Sequence, residues 1–279
     1  MVAYAFKTPP QHGTWEDFLA VWQAADDIEV FESGWTMDHF YPLVPPFEGP
    51  HLESWAMLPA LAQATKRLRL GCMVNGMHYR HPAVTANLTA TLDHVSNGRF
   101  TLGMGAGWNE MESNAYGIKL GTLKERFDRF DEGIEVIVSL LANETTTFNG
   151  KYYQLTNARC EPKPRQQPVP LAIGGTGPKR TLRTVARWAN HWDTVGARDP
   201  SDWTRLNEIL LGHCAAIGRN PSEILRSVHV MWEASAEPAA LAERAAAFAA
   251  VGVDLIIFSM RGPYEVRLLE PLAQALRSS

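Results

Sequence analysis

Cysteine is scarce in this chain: Cys72, Cys160 and Cys214 are the only three, and none has paired or CxxC spacing. Such a set builds neither a disulfide framework nor a zinc site, and a reducing cytoplasm is the expected compartment. Long apolar runs are missing too. No stretch approaches the ~20 residues that a membrane-spanning helix needs. Met1 to Pro10 lacks a basic segment followed by an apolar one, so no signal peptide is expected. Positive charge is not in excess, because 26 Lys and Arg stand against 30 Asp and Glu for a net charge of −4. No basic run is available to follow a nucleic-acid backbone. Neither the GxSxG turn of serine hydrolases nor the HExxH of zinc proteases occurs. These absences exclude nucleic-acid and membrane partners and leave a small molecule as the expected one.

What is present is an ordinary globular composition, 46% hydrophobic and 20% charged over 279 residues. That length suits one large α/β domain over 1–279. Short apolar runs at 3–6, 33–37, 68–74, 99–103, 170–173, 191–195, 227–232 and 254–259 read as strands. Amphipathic runs at 15–28, 54–65, 83–95, 122–141, 179–189, 203–217, 238–250 and 264–276 read as helices. The strand runs are mostly apolar throughout, as in a parallel sheet covered on both faces. Eight crossovers in succession favour closure into a (β/α)8 TIM barrel. An open doubly wound sheet would carry a glycine-rich turn after its first strand, where Lys7-Thr8-Pro9-Pro10 stands instead. Segment 145–169 breaks the rhythm. Asn149-Gly150 marks a hairpin, and Pro162, Pro164, Pro168 and Pro170 mark an extended tether. We expect an insertion on the βα side, where barrel active sites lie, serving as arm, lid or dimer contact.

The residues with chemistry cluster at strand ends. Asp38-His39 follows the second strand; His39 is the candidate to donate a hydrogen bond or proton, with Asp38 positioning its neighbours. A solvated loop pair is the plainer alternative. Gly71-Cys72-Met73-Val74-Asn75-Gly76 reads as a bulge or a close backbone approach to a ligand. His78 and His81 have no carboxylate or cysteine at ligand spacing, so no metal is expected. In Gly103-Met104-Gly105-Ala106-Gly107-Trp108, alternating glycines clear side chains where a planar ring or phosphate nears backbone amides, although tight barrel packing would ask for the same residues. Trp108 then walls a pocket that Phe40 and Tyr79 would make apolar. Gly174-Gly175-Thr176-Gly177 leads into a helix whose free N–H groups favour an anion, with Lys179 and Arg180 in its first turn.

Together these stretches resemble the luciferase-like monooxygenase family, in particular its branch of coenzyme F420-dependent oxidoreductases. The telling segments are Trp35-Thr36-Met37-Asp38-His39-Phe40, Arg67-Leu68-Arg69-Leu70-Gly71, Tyr79-Arg80-His81-Pro82-Ala83, Leu92-Asp93-His94-Val95-Ser96-Asn97-Gly98-Arg99-Phe100 and Gly105-Ala106-Gly107-Trp108. Glu125-Arg126-Phe127-Asp128-Arg129, Cys160-Glu161-Pro162-Lys163-Pro164 and Ile173 to Leu182 complete the set. The likeness covers nearly the whole chain.

It implies a homodimeric (β/α)8 barrel holding a flavin or deazaflavin ring at the strand C-termini. The ring would lie against a bulge with a non-prolyl cis peptide, which maps to Met73–Val74. It would be bounded by Cys72, Asn75, Gly105, Ala106 and Gly107, with His39 and Asp38 beside it and its phosphate at Gly174, Gly175, Thr176 and Gly177. One departure matters. The branch that oxidises sugar phosphates has a catalytic glutamate where this chain has Trp108, so that substrate is not expected; Glu110 is the candidate substitute acid. The expected reaction is hydride transfer between F420 and a small organic molecule. FMN-dependent monooxygenation is the alternative, and non-catalytic flavin or deazaflavin binding a third.

Overall fold

Each of the eight apolar runs forms a strand in the structure, a computed structural model that describes residues 2–278. In chain order the elements are β1 (Ala3–Lys7), α1 (Trp15–Asp26), β2 (Phe31–Thr36), α2 (Ser54–Ala64), β3 (Arg69–Cys72), β4 (Asn75–Gly76), α3 (Pro82–Val95), β5 (Phe100–Gly105), α4 (Glu110–Ala115) and α5 (Leu123–Ala142). There follow β6 (Thr146–Asn149), β7 (Gln154–Ala158), β8 (Leu171–Gly174), α6 (Thr181–Trp188), β9 (His191–Thr194), α7 (Pro200–Ala216), β10 (Leu225–Trp232), α8 (Pro238–Ala250), β11 (Leu255–Met260) and α9 (Leu269–Arg277).

The main sheet runs β3-β2-β1-β11-β10-β9-β8-β5-β4, and β3 also pairs with β5, which closes the ring. All of its pairings are parallel. β3 and β4 are two halves of one strand interrupted at Met73 and Val74, so the sheet is an eight-stave barrel. It is the expected TIM barrel.

Alternation along the strands separates two apolar sets. Ala5, Trp35, Met73, Ala172, Leu255 and Ile257 meet inside the barrel. Phe6, Phe31, Leu70, Phe100, Ile256 and Phe258 face outward into the layer shared with the helices. Polar side chains close helix ends onto this frame. Thr14 starts α1 with a capping box, exchanging hydrogen bonds with Asp17. Arg67 donates to the carbonyls of Ala25 and Asp26 in the last turn of α1 and of Ile28 and Phe31 beyond it. Arg99 does the same for Ala62, Thr65 and Leu68 after α2.

Two expectations fail here. The hairpin β6–β7 exists, but it follows α5 and precedes β8, so it leaves from the N-terminal end of the strands and not from the βα side. It packs along the outside of α3 and α5 through Tyr153, Leu155 and Cys160, and its turn is held by Glu132, which accepts from the N–H groups of Lys151, Tyr152 and Tyr153. The last helix begins at Leu269, not near residue 264. The short helix α4 was not anticipated at all.

Candidate functional site

The βα ends of the strands enclose a cavity of about 410 Å³. Its wall includes His39 and Asp38 after β2, Met73 to Gly76 across the bulge, Tyr79, Gly105 to Trp108 after β5, Phe127 and Phe130 from α5, and Gly174 and Gly175 after β8. One cavity thus gathers four of the strand ends that the sequence marked.

His39 is fixed by a residue that the sequence reading missed. Its Nδ1–H donates to Glu112 Oε1 at 2.6 Å, and Glu112 is fully buried. The other carboxylate oxygen accepts from the Phe40 N–H at 3.0 Å, and the Tyr79 hydroxyl donates to Oε1. Burial works to raise the Glu112 pKa, but the hydrogen bonds from His39, Phe40 and Tyr79 outweigh it and hold the carboxyl below its usual range. An ionised acceptor at Nδ1 leaves Nε2 with its lone pair, poised to take or return a proton. Glu110, the acid the sequence pointed to, is mostly exposed and pairs with Arg126 at 3.5 Å; it does not line the cavity. Glu112 sits at the third position of α4, where Asn109 caps by accepting from the Glu112 N–H. That Asn-x-x-Glu spacing is a helix-start signal the sequence reading passed over.

Asp38 is locked. Arg80 binds both its oxygens, at 2.7 and 3.0 Å, and the Gly76 N–H donates to it at 3.2 Å. Arg80 also reaches Glu53. Burial raises the Asp38 pKa and the Arg80 contact opposes it. With its lone pairs so committed, Asp38 anchors the bulge and does not exchange protons with a ligand.

The bulge itself carries a cis peptide between Met73 and Val74, at the bond the resemblance named. The Met73 carbonyl accepts from Lys7 Nζ at 2.9 Å. Around Val74 the glycines take on a role other than the expected one. A Cβ on Gly105 would lie 2.7 Å from Val74 Cγ2, and one on Gly174 would lie 2.9 Å from Val74 Cγ1. A Cβ on Gly107 would meet the His78 ring at 2.4 Å. These glycines make room for protein side chains, so that Val74 can stand upright as a platform in the cavity. Gly107 and Gly175 also have positive φ, +88° and +126°, conformations that glycine alone adopts cheaply.

Three further expectations are corrected, for Cys72, for Phe40 and for the pair Lys179 and Arg180. Cys72 is fully buried behind the wall, and burial pushes its thiol up to about 12. Phe40 lies outside the cavity, stacked on Tyr116 at 4.9 Å with its edge toward Tyr79. Thr176 and Gly177 do not line the cavity; beyond its edge, their N–H groups donate to no backbone carbonyl among the described residues. Lys179 and Arg180 precede α6 and do not form its first turn. Arg180 is taken by Asp128 at 3.0 Å and Asp131 at 2.6 Å, which removes it as an anion ligand. Trp108 is where expected: 61% exposed at the rim, its ring edge-on to His39 with centroids 5.6 Å apart.

A flavin-type ring can be tested against these residues. Asn75 is 2% exposed and donates to the Gly103 carbonyl at 2.7 Å, while its Oδ1 has no partner. A buried acceptor left unpaired is costly, and the N–H of a pyrimidinedione edge would satisfy it. With the Val74 platform and the open turn at Gly175, the residues fit such a group.

Fold and cavity define an α/β-barrel protein with a ligand site at the strand C-termini. The family profile described as luciferase-like monooxygenase matches residues 2–276, and the chain belongs to that family. It is 39% identical over 192 residues to an F420-dependent glucose-6-phosphate dehydrogenase of Amycolatopsis mediterranei (strain U-32), a match covering 68% of this chain. That match covers 55% of the relative, so the chain spans about half of that protein's length. In fold it is similar to an F420-dependent secondary alcohol dehydrogenase in complex with an F420-acetone adduct, with TM-score 0.87, 19% identity, and 99% and 98% of the two chains covered. It is also similar to a long-chain alkane monooxygenase, with TM-score 0.82, 14% identity, and 99% and 91% covered.

Proposed function

We propose that this protein is an oxidoreductase that moves a hydride between coenzyme F420 and an apolar alcohol or carbonyl compound. The observation that carries this reading is the pair formed by the unpartnered Asn75 Oδ1 and the Glu112-oriented His39, both on the wall of one cavity. When bound, the deazaflavin supplies a ring carbon that accepts or donates a hydride. Val74 would support the ring, Asn75 would fix its rotation, and the Gly175 turn with the open Thr176 and Gly177 N–H groups would hold its phosphate. His39 Nε2 would take the hydroxyl proton of an alcohol, or return it to a carbonyl, and Glu112 would stabilise the imidazolium.

The substrate class follows from the wall. Met37, Leu43, Phe127, Phe130 and Trp108 line the cavity, while Arg80 and Arg180 are consumed by acidic partners. Neither arginine is left to receive a sugar phosphate, and an uncharged apolar molecule would bury its surface against this wall. On the same reading the chain works as one domain over 1–279, as a homodimer in the cytoplasm. The three cysteines are free and buried, and among the described residues no helix is long and apolar enough to cross a membrane.

Titrating the purified apoprotein with F420 and with FMN tests the reading. We expect saturable F420 binding and weaker FMN binding. Tight FMN binding without F420 affinity would reverse the choice in favour of the monooxygenase. F420 binding with no turnover on any alcohol or carbonyl substrate would favour a carrier.

A further inference from the structure

The barrel interior holds charge that the proposed reaction does not use. Lys7 ends β1, points inward and is 6% exposed, yet it lines the cavity. An ammonium has three N–H donors, and here one is spent on the Met73 carbonyl at 2.9 Å. No other hydrogen bond engages it among the described residues. The ionisable groups whose charge acts on it are Asp193 on β9 and, from the outer side of β3, the Cys72 thiol. Asp193 is already committed, accepting from Ser227 Oγ at 2.9 Å and lying 3.0 Å from His229 Nε2. The Cys72 thiol, raised by burial to about 12, stays neutral. Burial lowers the Lys7 pKa, and Asp193 opposes that shift. A buried cation with two idle donors toward a cavity needs an electron-rich partner there.

We propose that Lys7 is the electrostatic partner of the bound ring, its ammonium stabilising the negative charge that the ring gains on accepting a hydride. The inference rests on the F420 reading above. Hydride transfer from an alcohol breaks one C–H bond of the donor and forms one on the ring. Both electrons travel with the hydrogen, so the ring would gain one unit of negative charge. The donor becomes a carbonyl by losing its hydroxyl proton to His39. Lys7 therefore favours the reduced ring over the oxidised one, and sets the potential at which the protein works. No other lysine or arginine lines the cavity among the described residues.

The test is the pair of dissociation constants for oxidised and reduced F420, measured anaerobically by fluorescence on wild-type protein, Lys7→Gln and Lys7→Arg. Glutamine keeps a donor for Met73 while removing the charge. We expect Lys7→Gln to weaken the reduced form about tenfold or more relative to the oxidised form, a fall in midpoint potential of about 30 mV per tenfold for a two-electron couple. Lys7→Arg should hold the wild-type ratio. Should Lys7→Gln fail to fold, Lys7→Met, of similar length and uncharged, serves in its place. It must move the ratio in the same direction, away from the reduced form. An unchanged ratio in Lys7→Gln, with both forms still bound or both weakened equally, overturns the role of Lys7 alone. Wild-type protein that binds neither form overturns the cofactor reading and this inference with it.

Discussion

Glu112 Oε1 and His39 Nδ1 lie 2.6 Å apart although 73 residues separate them in the chain. The carboxylate comes from a short helix after β5 and the imidazole from the loop after β2, so the contact exists only once the barrel has closed. It decides which imidazole nitrogen is left for a substrate.

Replacing Glu112 with Gln should lower kcat/KM about tenfold to a hundredfold on any substrate that exchanges a proton through His39. Glu110→Gln should leave it unchanged, since that side chain faces solvent and Arg126. Steady-state kinetics of the two variants, side by side, separate the roles. Equal losses in both would contradict the assignment.

Gly174→Ala should push Val74 into the cavity, because the added methyl would sit 2.9 Å from Val74 Cγ1. We expect weaker F420 binding with the fold retained, and recovery in the double variant Gly174→Ala, Val74→Ala. Coupling of this kind between touching residues is typically about 0.5–3 kcal/mol. Additive losses in the double-mutant cycle would mean that the glycine serves the ligand directly.

Asp38→Asn should act on stability. It leaves Arg80 buried beside a neutral amide and weakens the hold on the Gly76 N–H. Breaking a buried ion pair on one side costs about 3–5 kcal/mol. Urea denaturation should show a lower midpoint with an unchanged slope. A midpoint equal to that of the wild type would place Asp38 among ordinary surface residues.

Much of this was legible in the sequence, and what was not has identifiable causes. Apolar runs bounded by glycine and proline gave all eight staves, because a strand buried on both faces needs that pattern. The bulge and the place of His39 followed from glycines and polar residues at strand ends, and the cis peptide at Met73–Val74 from the family resemblance. The hairpin was found from Asn149-Gly150 but put at the wrong end. Periodicity locates such a segment along the chain, and only its place after α5 decides which end of the barrel it leaves from. Glu112 escaped because α4 is a helix of six residues, too short for an amphipathic period. The glycines were read as space for a ligand; sequence alone cannot say whose side chain fills the gap, and here it is Val74 or His78. Arg180 looked free because its partners, Asp128 and Asp131, lie on another helix.

Acid should destabilise the fold before the carboxylates titrate. His191 is buried inside the barrel with Nε2 at 2.8 Å from Ser227 Oγ, and burial lowers its pKa to about 4. The unfolded chain protonates this group near its ordinary 6.5. Between the two values the unfolded state binds more protons, so stability is complete above about pH 6.5 and falls as the pH drops toward 4. The loss for this group is about 3 kcal/mol, at roughly 1.4 kcal/mol per pH unit. His51 and His78, also lowered by burial to about 4, add to it in the same direction. Melting temperatures from pH 7 to 4 should fall steeply for the wild type and less so for His191→Asn; parallel curves would contradict the assignment.

The most direct measurement is the structure of the protein with F420 bound. We expect the deazaflavin ring against Val74, with an N–H edge on Asn75 Oδ1, Lys7 Nζ within hydrogen-bond reach of the ring, and His39 Nε2 on the substrate side. A ring bound elsewhere, or a cavity closed by the surrounding side chains in the presence of saturating F420, would contradict the assignment of this cavity as the redox site.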